Sequence, residues 1–168
     1  KENGITAVVM PHGVLFREAG EGFIRQRIIE NNLIDTIIGL PSNLFYGTSI
    51  PTCLIILKNN KKNKDIFFID GSFEYYKDKR QNKLREEDIS KILTAYRKRK
   101  DILKYCRAVS FEEIKANNYN LNISRYLISA EEKSDINLNT SKREIDNLET
   151  EREKLRNSIN NIFKEIKI

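Results

Sequence analysis

The residues able to touch a ligand concentrate in two loops, each placed directly after an apolar run. One is Pro11-His12-Gly13-Val14-Leu15-Phe16 and the other is Leu40-Pro41-Ser42-Asn43-Leu44-Phe45-Tyr46-Gly47. The second sets adjacent aromatic rings ahead of Gly47, Thr48 and Ser49. Rings in such a loop either fold back into a core or face a ligand, and both readings stand at this point. His12 is the single histidine. Without an acid and a nucleophile at motif spacing it forms no triad, and a structural imidazole is the plainer reading. The sequence holds no Gly-x-Gly-x-x-Gly, Walker loop, His-Glu-x-x-His, paired-cysteine spacing or Asn-Pro-Pro triplet. A complete active site and a metal centre are therefore not encoded.

These loops need elements to position them. Ile5 to Met10 is a nearly continuous apolar run, which predicts a central strand buried on both faces. Phe23, Ile24, Ile28 and Ile29 recur at helical spacing, with Asn31-Asn32 as a stop, and Leu33 to Ile38 is again apolar and rich in β-branched residues. The order predicts a βαβ unit with two parallel strands and a right-handed connection. The run Ile50 to Leu57 follows a connection with Pro41, Gly47 and no helical pattern, so an antiparallel strand is expected. Asp65 to Asp70 reads as a further strand at an edge. Ile89, Ile92, Leu93, Tyr96 and Leu103 mark one face of a long helix. Cys53 falls in strand pattern and Cys106 in the basic tail of that helix, while 108 to 129 reads as irregular. From Ser141-x-x-Glu144, a capping box, positions 145, 148, 152, 155, 159, 162 and 166 keep 3,4 spacing, all Ile or Leu except Arg152, which predicts a short coiled-coil helix.

The chain has 168 residues, 39% hydrophobic and 32% charged, with a mean hydropathy of −0.55. That excludes a membrane, collagen-like or wholly disordered protein and leaves room for about one domain. It opens Lys1-Glu2-Asn3, with neither an initiator Met nor a secretory segment, the expectation being a piece of a longer protein. Two cysteines fit a reducing cytoplasm. The net charge is +6, and the whole excess lies between Lys58 and Arg107, where 16 basic residues face 8 acidic ones. Such a block is either a solvated surface or a nucleic-acid contact.

The string Ala7 to Phe16, followed by Ile37-Ile38-Gly39-Leu40-Pro41-Ser42-Asn43-Leu44-Phe45-Tyr46-Gly47-Thr48-Ser49-Ile50-Pro51, resembles the modification subunit of type I restriction-modification systems. Phe68-Ile69-Asp70, Gln81-Asn82-Lys83-Leu84 and Asn118 to Tyr126 continue the resemblance, which covers about 1 to 127. It implies an α/β fold: the C-terminal half of a Rossmann-like, S-adenosylmethionine-dependent methyltransferase sheet with a reversed last strand, followed by a helical, coiled-coil-like tail. Residues 1 to 129 are then the C-terminal part of an N6-adenine methyltransferase domain, and 130 to 168 a tail for subunit assembly. In that family the cofactor glycines and the catalytic Asn-Pro-Pro-Phe loop lie upstream of the region matching Lys1. The chain alone is therefore expected to be inactive.

The resemblance also implies roles. Enzymes that act on a base in DNA flip it out of the duplex and stack it on aromatic rings. Phe45, then Tyr46, are the stacking candidates, with Pro11, His12, Gly13 and Pro41 as the pocket loop. Lys61, Lys62, Lys64, Lys79, Arg80 and Lys83 are candidates for DNA phosphates. The partners implied are double-stranded DNA and the specificity and restriction subunits of the same system. Leu148, Leu155, Ile159 and Ile162 are the candidate seam, against the alternative of a tail packed on its own domain. A non-catalytic module for DNA-backbone binding and assembly is the second functional expectation, and a self-associating piece with exposed interfaces is the third.

Overall fold

The computed structural model describes residues 3–79, 81–127 and 148–156. The chain divides into two units, Lys1–Ser129 and Ala130–Ile168. In the first, β1 (Ile5–Pro11), a 3-10 turn (His12–Leu15) and α1 (Gly20–Glu30) lead into β2 (Ile34–Gly39), β3 (Thr52–Lys58) and β4 (Ile66–Asp70). A hairpin of β5 (Tyr76–Asp78) and β6 (Gln81–Lys83) follows, then α2 (Glu86–Lys98), β7 (Cys106–Val109), α3 (Phe111–Ala116) and α4 (Ile123–Leu127).

Five strands form one sheet in the order β1-β3-β2-β4-β7. β3 is antiparallel to both neighbours, pairing Thr52 with Pro11 on one side and Cys53 with Gly39 on the other. The antiparallel expectation for β3 therefore holds. Because β1 and β2 both oppose β3, they run parallel to each other but are not adjacent. β3 is also not last: β4 adds parallel to β2, and β7 adds antiparallel to β4.

Three strand expectations need correction. β1 is an edge strand among the described residues, and its apolar side chains are open, with Ile5 64%, Val8 38% and Val9 48% exposed. The pattern that predicts burial on both faces is present, but only β3 flanks it. β4 is interior, with Ile66, Phe67, Phe68 and Ile69 all buried, since the short β7 covers its outer edge. That strand was hidden in a basic stretch: Cys106, expected in a helix tail, is fully buried in β7 beside Arg107.

The sheet alternates its side chains between two layers. Ile37, Cys53, Phe68 and Val109 face Ile29 of α1, Ile114 of α3, Leu121, and Ile123 and Tyr126 of α4. The Phe68 and Tyr126 rings lie 4.7 Å apart, and the Tyr126 hydroxyl donates to the Asn120 carbonyl. So 108 to 127 is ordered secondary structure rather than irregular chain; Ser110 caps α3 by accepting from the Glu113 amide at 3.2 Å. On the opposite face Ile38, Ile56, Phe67 and Ile69 meet Ile92 and Ala95 of α2. α2 ends at Arg99, whose φ of 46° is left-handed, so Leu103 lies beyond the helix and is 70% exposed.

Two buried charges tie these layers together. The Arg25 guanidinium donates to the carbonyls of Tyr119 at 2.8 Å and of Val14 and Arg17 at 2.9 Å each. It thereby fixes the segment after β1 against the α3–α4 connection, where Leu121 also donates its amide to the Leu15 carbonyl at 2.8 Å. Asp35 on β2 is reached by Lys58 and Arg99, each at 3.1 Å. In the second unit residues 148–156 are helical, as the 3,4 spacing predicts, and Leu148 and Leu155 are exposed.

Candidate functional site at the strand ends

The carboxyl ends of β1, β2 and β4 lie at one end of the sheet, together with the amino end of β3. Four backbone bonds knit this rim. The His12 amide donates to Pro51 at 3.2 Å, Leu40 to Thr52 at 2.9 Å, Gly71 to Gly39 at 3.0 Å and Asp70 to Tyr105 at 2.8 Å. The approach of Gly71 to Gly39 is too close for a side chain: a Cβ on Gly71 would meet the Gly39 carbonyl oxygen at 2.8 Å. Asp70 turns its carboxylate back to the Ser72 amide at 3.0 Å.

Two polar atoms on this rim, His12 Nε2 and Thr52 Oγ1, are buried with no hydrogen-bond partner. Burial pushes the His12 imidazole below its ordinary value, against a hydrogen bond to the Thr52 backbone and the charge of Asp70. The ring is consequently neutral at pH 7. Pro41 is fully buried and acts as a rigid part of the rim, Pro11 is exposed, and Gly13 is lined by the Arg17 guanidinium, 2.7 Å from where a Cβ would sit.

The loop after β2 presents its aromatics outward. Phe45 is 42% and Tyr46 90% exposed, so neither is core. Asn43, with φ 54°, and Gly47, with φ 76°, turn the chain on either side of them. The β5–β6 hairpin lies alongside. The Asn82 side-chain amide donates to the Ser42 carbonyl at 2.7 Å, its backbone amide to Asn43 at 2.9 Å, and the Gln81 side chain to Leu44 at 2.6 Å. Phe73 and Tyr76, just before and within the hairpin, are also exposed. The hairpin is what the sequence reasoning missed: Gln81 and Asn82 stood out only as part of a resemblance. The signal was the short Tyr-Tyr-Lys-Asp-Lys-Arg-Gln-Asn run, which pairs Tyr76 with Lys83 and Lys77 with Asn82.

The five candidate cations among the described residues do not form one surface. Lys79 and Lys83 sit on the hairpin beside the aromatic loop, with Lys83 paired to Asp78 at 2.6 Å. Lys61, Lys62 and Lys64 belong to the β3–β4 connection, at the opposite end of strands that span about 20 Å. Lys61 is moreover engaged internally, donating to the carbonyls of Ile34 at 2.6 Å and Asp65 at 2.7 Å, and burial pushes its ammonium down to about 8. Lys64 lies over the Phe111 ring. Arg80, Ile159 and Ile162 fall outside the described residues. Among the described residues no group of three or more His, Cys, Asp or Glu could hold a metal, and no helix is long and apolar enough to cross a membrane.

The described residues form an open α/β sheet with an aromatic loop and a basic hairpin beyond the carboxyl ends of its parallel strands. The chain belongs to the N-6 DNA methylase family, whose model matches residues 1–135. It is 36% identical over 168 residues to the type I restriction enzyme MpnII methylase subunit of Mycoplasma pneumoniae, covering 99% of this chain and 31% of that protein. It is 39% identical over 150 residues to the MjaVIII methylase subunit of Methanocaldococcus jannaschii, covering 86% of this chain and 26% of that one. Among solved structures it is similar to the type I restriction-modification system methyltransferase subunit from Streptococcus thermophilus, with 55% identity and a TM-score of 0.72 over 74% of this chain and 26% of that chain. The chain thus spans about a third or less of the relatives it matches.

Proposed function

We propose that this chain is the target-base and DNA-facing part of the catalytic domain of a type I modification subunit, which transfers a methyl group from S-adenosylmethionine to N6 of adenine in DNA. The observation that carries the reading is the loop after β2: Phe45 and Tyr46 stand exposed at the carboxyl ends of the parallel strands, beside the basic hairpin. A flipped base offers a π-face to such rings, and stacking is worth about 1–3 kcal/mol per base. The N6-methylase family and the relatives named above support the reaction class.

The residues present do not fit the cofactor. The turn after β1 is closed by the His12–Leu15 3-10 turn with Arg17 filling the space at Gly13, and no glycine-rich turn cradles an anion. What this chain supplies is a rigid rim, a neutral imidazole in His12, aromatic surface for the base and ammonium groups for phosphates. The open edge of β1, apolar on both faces, supports a larger sheet in which further strands cover it. A recess of about 320 Å³ lined by Val8, Met10, Ile24, Ile28 and Leu57 supports the same view.

DNA and the specificity and restriction subunits are the partners proposed for the whole protein, and the exposed Leu148 and Leu155 are the described part of the proposed assembly seam. A second reading, a non-catalytic module for DNA-backbone contact and assembly, is supported by the exposed Lys79 and Lys83 of the hairpin. Phe45→Ala in the full-length modification subunit separates the two. The expected result is a large loss of methylation rate and of the fluorescence change of 2-aminopurine placed at the target position. Unchanged values in both measurements would rule out the base-contact role.

A further inference from the structure

Residues 42, 43 and 44 are three consecutive positions whose carbonyls are all taken by two consecutive residues of the hairpin, Gln81 and Asn82. Asn82 supplies two of the three donors, one from its backbone and one from its side chain, and is only 8% exposed although it lies on a three-residue strand. Polar groups buried to that extent are retained where their bonds are satisfied. Beyond Leu44 the anchoring stops: Phe45, Tyr46, Gly47, Ser49 and Ile50 are all exposed. The chain is caught again at Pro51 and Thr52, whose carbonyls accept the His12 and Leu40 amides. The aromatic loop is therefore held on one side by the sheet and on the other by the hairpin together with Leu44, which packs against the core layer under α2.

We infer that Asn82 is a positioning residue which couples the β5–β6 hairpin to the aromatic loop, so that a nucleic-acid strand gripped by the hairpin presents its unstacked base to Phe45 and Tyr46. The inference rests on the base-contact reading above and adds a mechanical link to it. The hairpin carries the groups such a strand requires: exposed Lys79 and Lys83 for phosphates, and exposed Tyr76 and Phe73 for sugar or base faces. The bonds from Gln81 and Asn82 to the 42–44 carbonyls set these exposed groups beside the exposed Phe45 and Tyr46. Ordering the loop before the base arrives removes an entropy cost from binding, which is how a bond far from the chemistry acts on it.

The sequence contains no tryptophan, so Tyr46→Trp places a single fluorescent reporter on the loop of the 168-residue chain. Asn82→Ala and the isosteric Asn82→Asp are then added separately, with Gln81→Ala as a milder third variant. The anchored population of the loop is expected to fall about fivefold for each hydrogen bond lost, read as a drop in indole anisotropy without a change in far-ultraviolet circular dichroism. The second measurement uses a short duplex with 2-aminopurine opposite an abasic site, bound by the full-length modification subunit with Tyr46 intact. The Asn82 variants should lose most of the stacking signal while overall duplex affinity changes less than the signal does, a split that mere loss of fold does not produce. Unchanged anisotropy in all three variants overturns the coupling whatever the DNA does. A 2-aminopurine signal absent from the unsubstituted full-length subunit overturns the base-contact reading alone, because the reporter reads the coupling without DNA.

Discussion

Asp35, on the interior strand β2, and Arg99, in the left-handed turn that ends α2, meet at 3.1 Å across 64 positions of sequence. Lys58 completes the cluster from β3 at 3.1 Å, and the Thr36 hydroxyl donates to the same carboxylate at 2.8 Å. Arg99 also lies over the Phe67 ring and Lys58 over the Tyr96 ring. One buried carboxylate thus fixes both the β2–β3 pairing and the end of the helix that covers them.

Removing that charge has a defined cost. Asp35→Asn leaves two cations without their anion, and a loss of about 2–3 kcal/mol is expected, toward the low side for a buried pair because both cations are partly solvated. The pH dependence follows. Burial pushes the Asp35 carboxyl up, but Thr36, Lys58 and Arg99 outweigh it and hold the group below its ordinary 3.8. A depressed value means the unfolded chain binds the proton first, so the stabilisation is complete above 3.8 and is lost as pH falls below it. Urea midpoints measured from pH 6 downward should decline less steeply for Asp35→Asn than for the unsubstituted chain. Parallel curves would refute the assignment.

The rim makes a steric prediction. Gly71→Ala brings a methyl to 2.8 Å from the Gly39 carbonyl oxygen and 3.0 Å from Ile92, and backbone cannot yield as a flexible side chain does. An overpacking cost of about 1–3 kcal/mol is expected. Gly20→Ala is the matched control: it opens α1 with nothing within 4 Å, so its effect should be neutral or stabilising by up to about 1 kcal/mol. Thermal unfolding of the two variants checks the contrast, and similar shifts in both would remove the close-approach argument.

The separation of the lysines predicts a difference in salt dependence. If the hairpin end faces DNA, Lys79→Ala should reduce the slope of log affinity against log salt by about 0.9. Lys62→Ala and Lys64→Ala, at the other end of the sheet, should leave that slope unchanged. Anisotropy titrations of a labelled duplex at several salt concentrations give the slopes. Equal losses for all three lysines would place DNA along the length of the domain.

Much of this architecture is legible in the residue pattern. The apolar runs at 5 to 10, 33 to 38, 50 to 57 and 65 to 70 locate four strands, because burial on a sheet requires apolar, β-branched side chains whatever their neighbours. The reversed β3 followed from the helix-free connection before it. β7 was missed because its pairing partner, β4, lies about 40 residues upstream, and the charge of Arg107 is paired there with Glu113 at 2.9 Å. The aromatic loop was visible as composition, and the resemblance assigned it a role. Its clamp was not, since Asn82 acts through a hydrogen-bond geometry that no spacing rule encodes.

Periodicity, charge and motif inventory by themselves determined an α/β chain with a basic middle segment and none of the familiar nucleotide, metal or catalytic-triad motifs. Those properties depend on which side chains avoid water and on which residue types are present. Tertiary structure alone decided the strand order, and with it that β1 is open while β4 is enclosed. It also decided which cations share an end of the sheet with Phe45 and Tyr46. Order and end are set by pairing between distant segments, where one buried carboxylate and three shared carbonyls select the partner that local sequence leaves open.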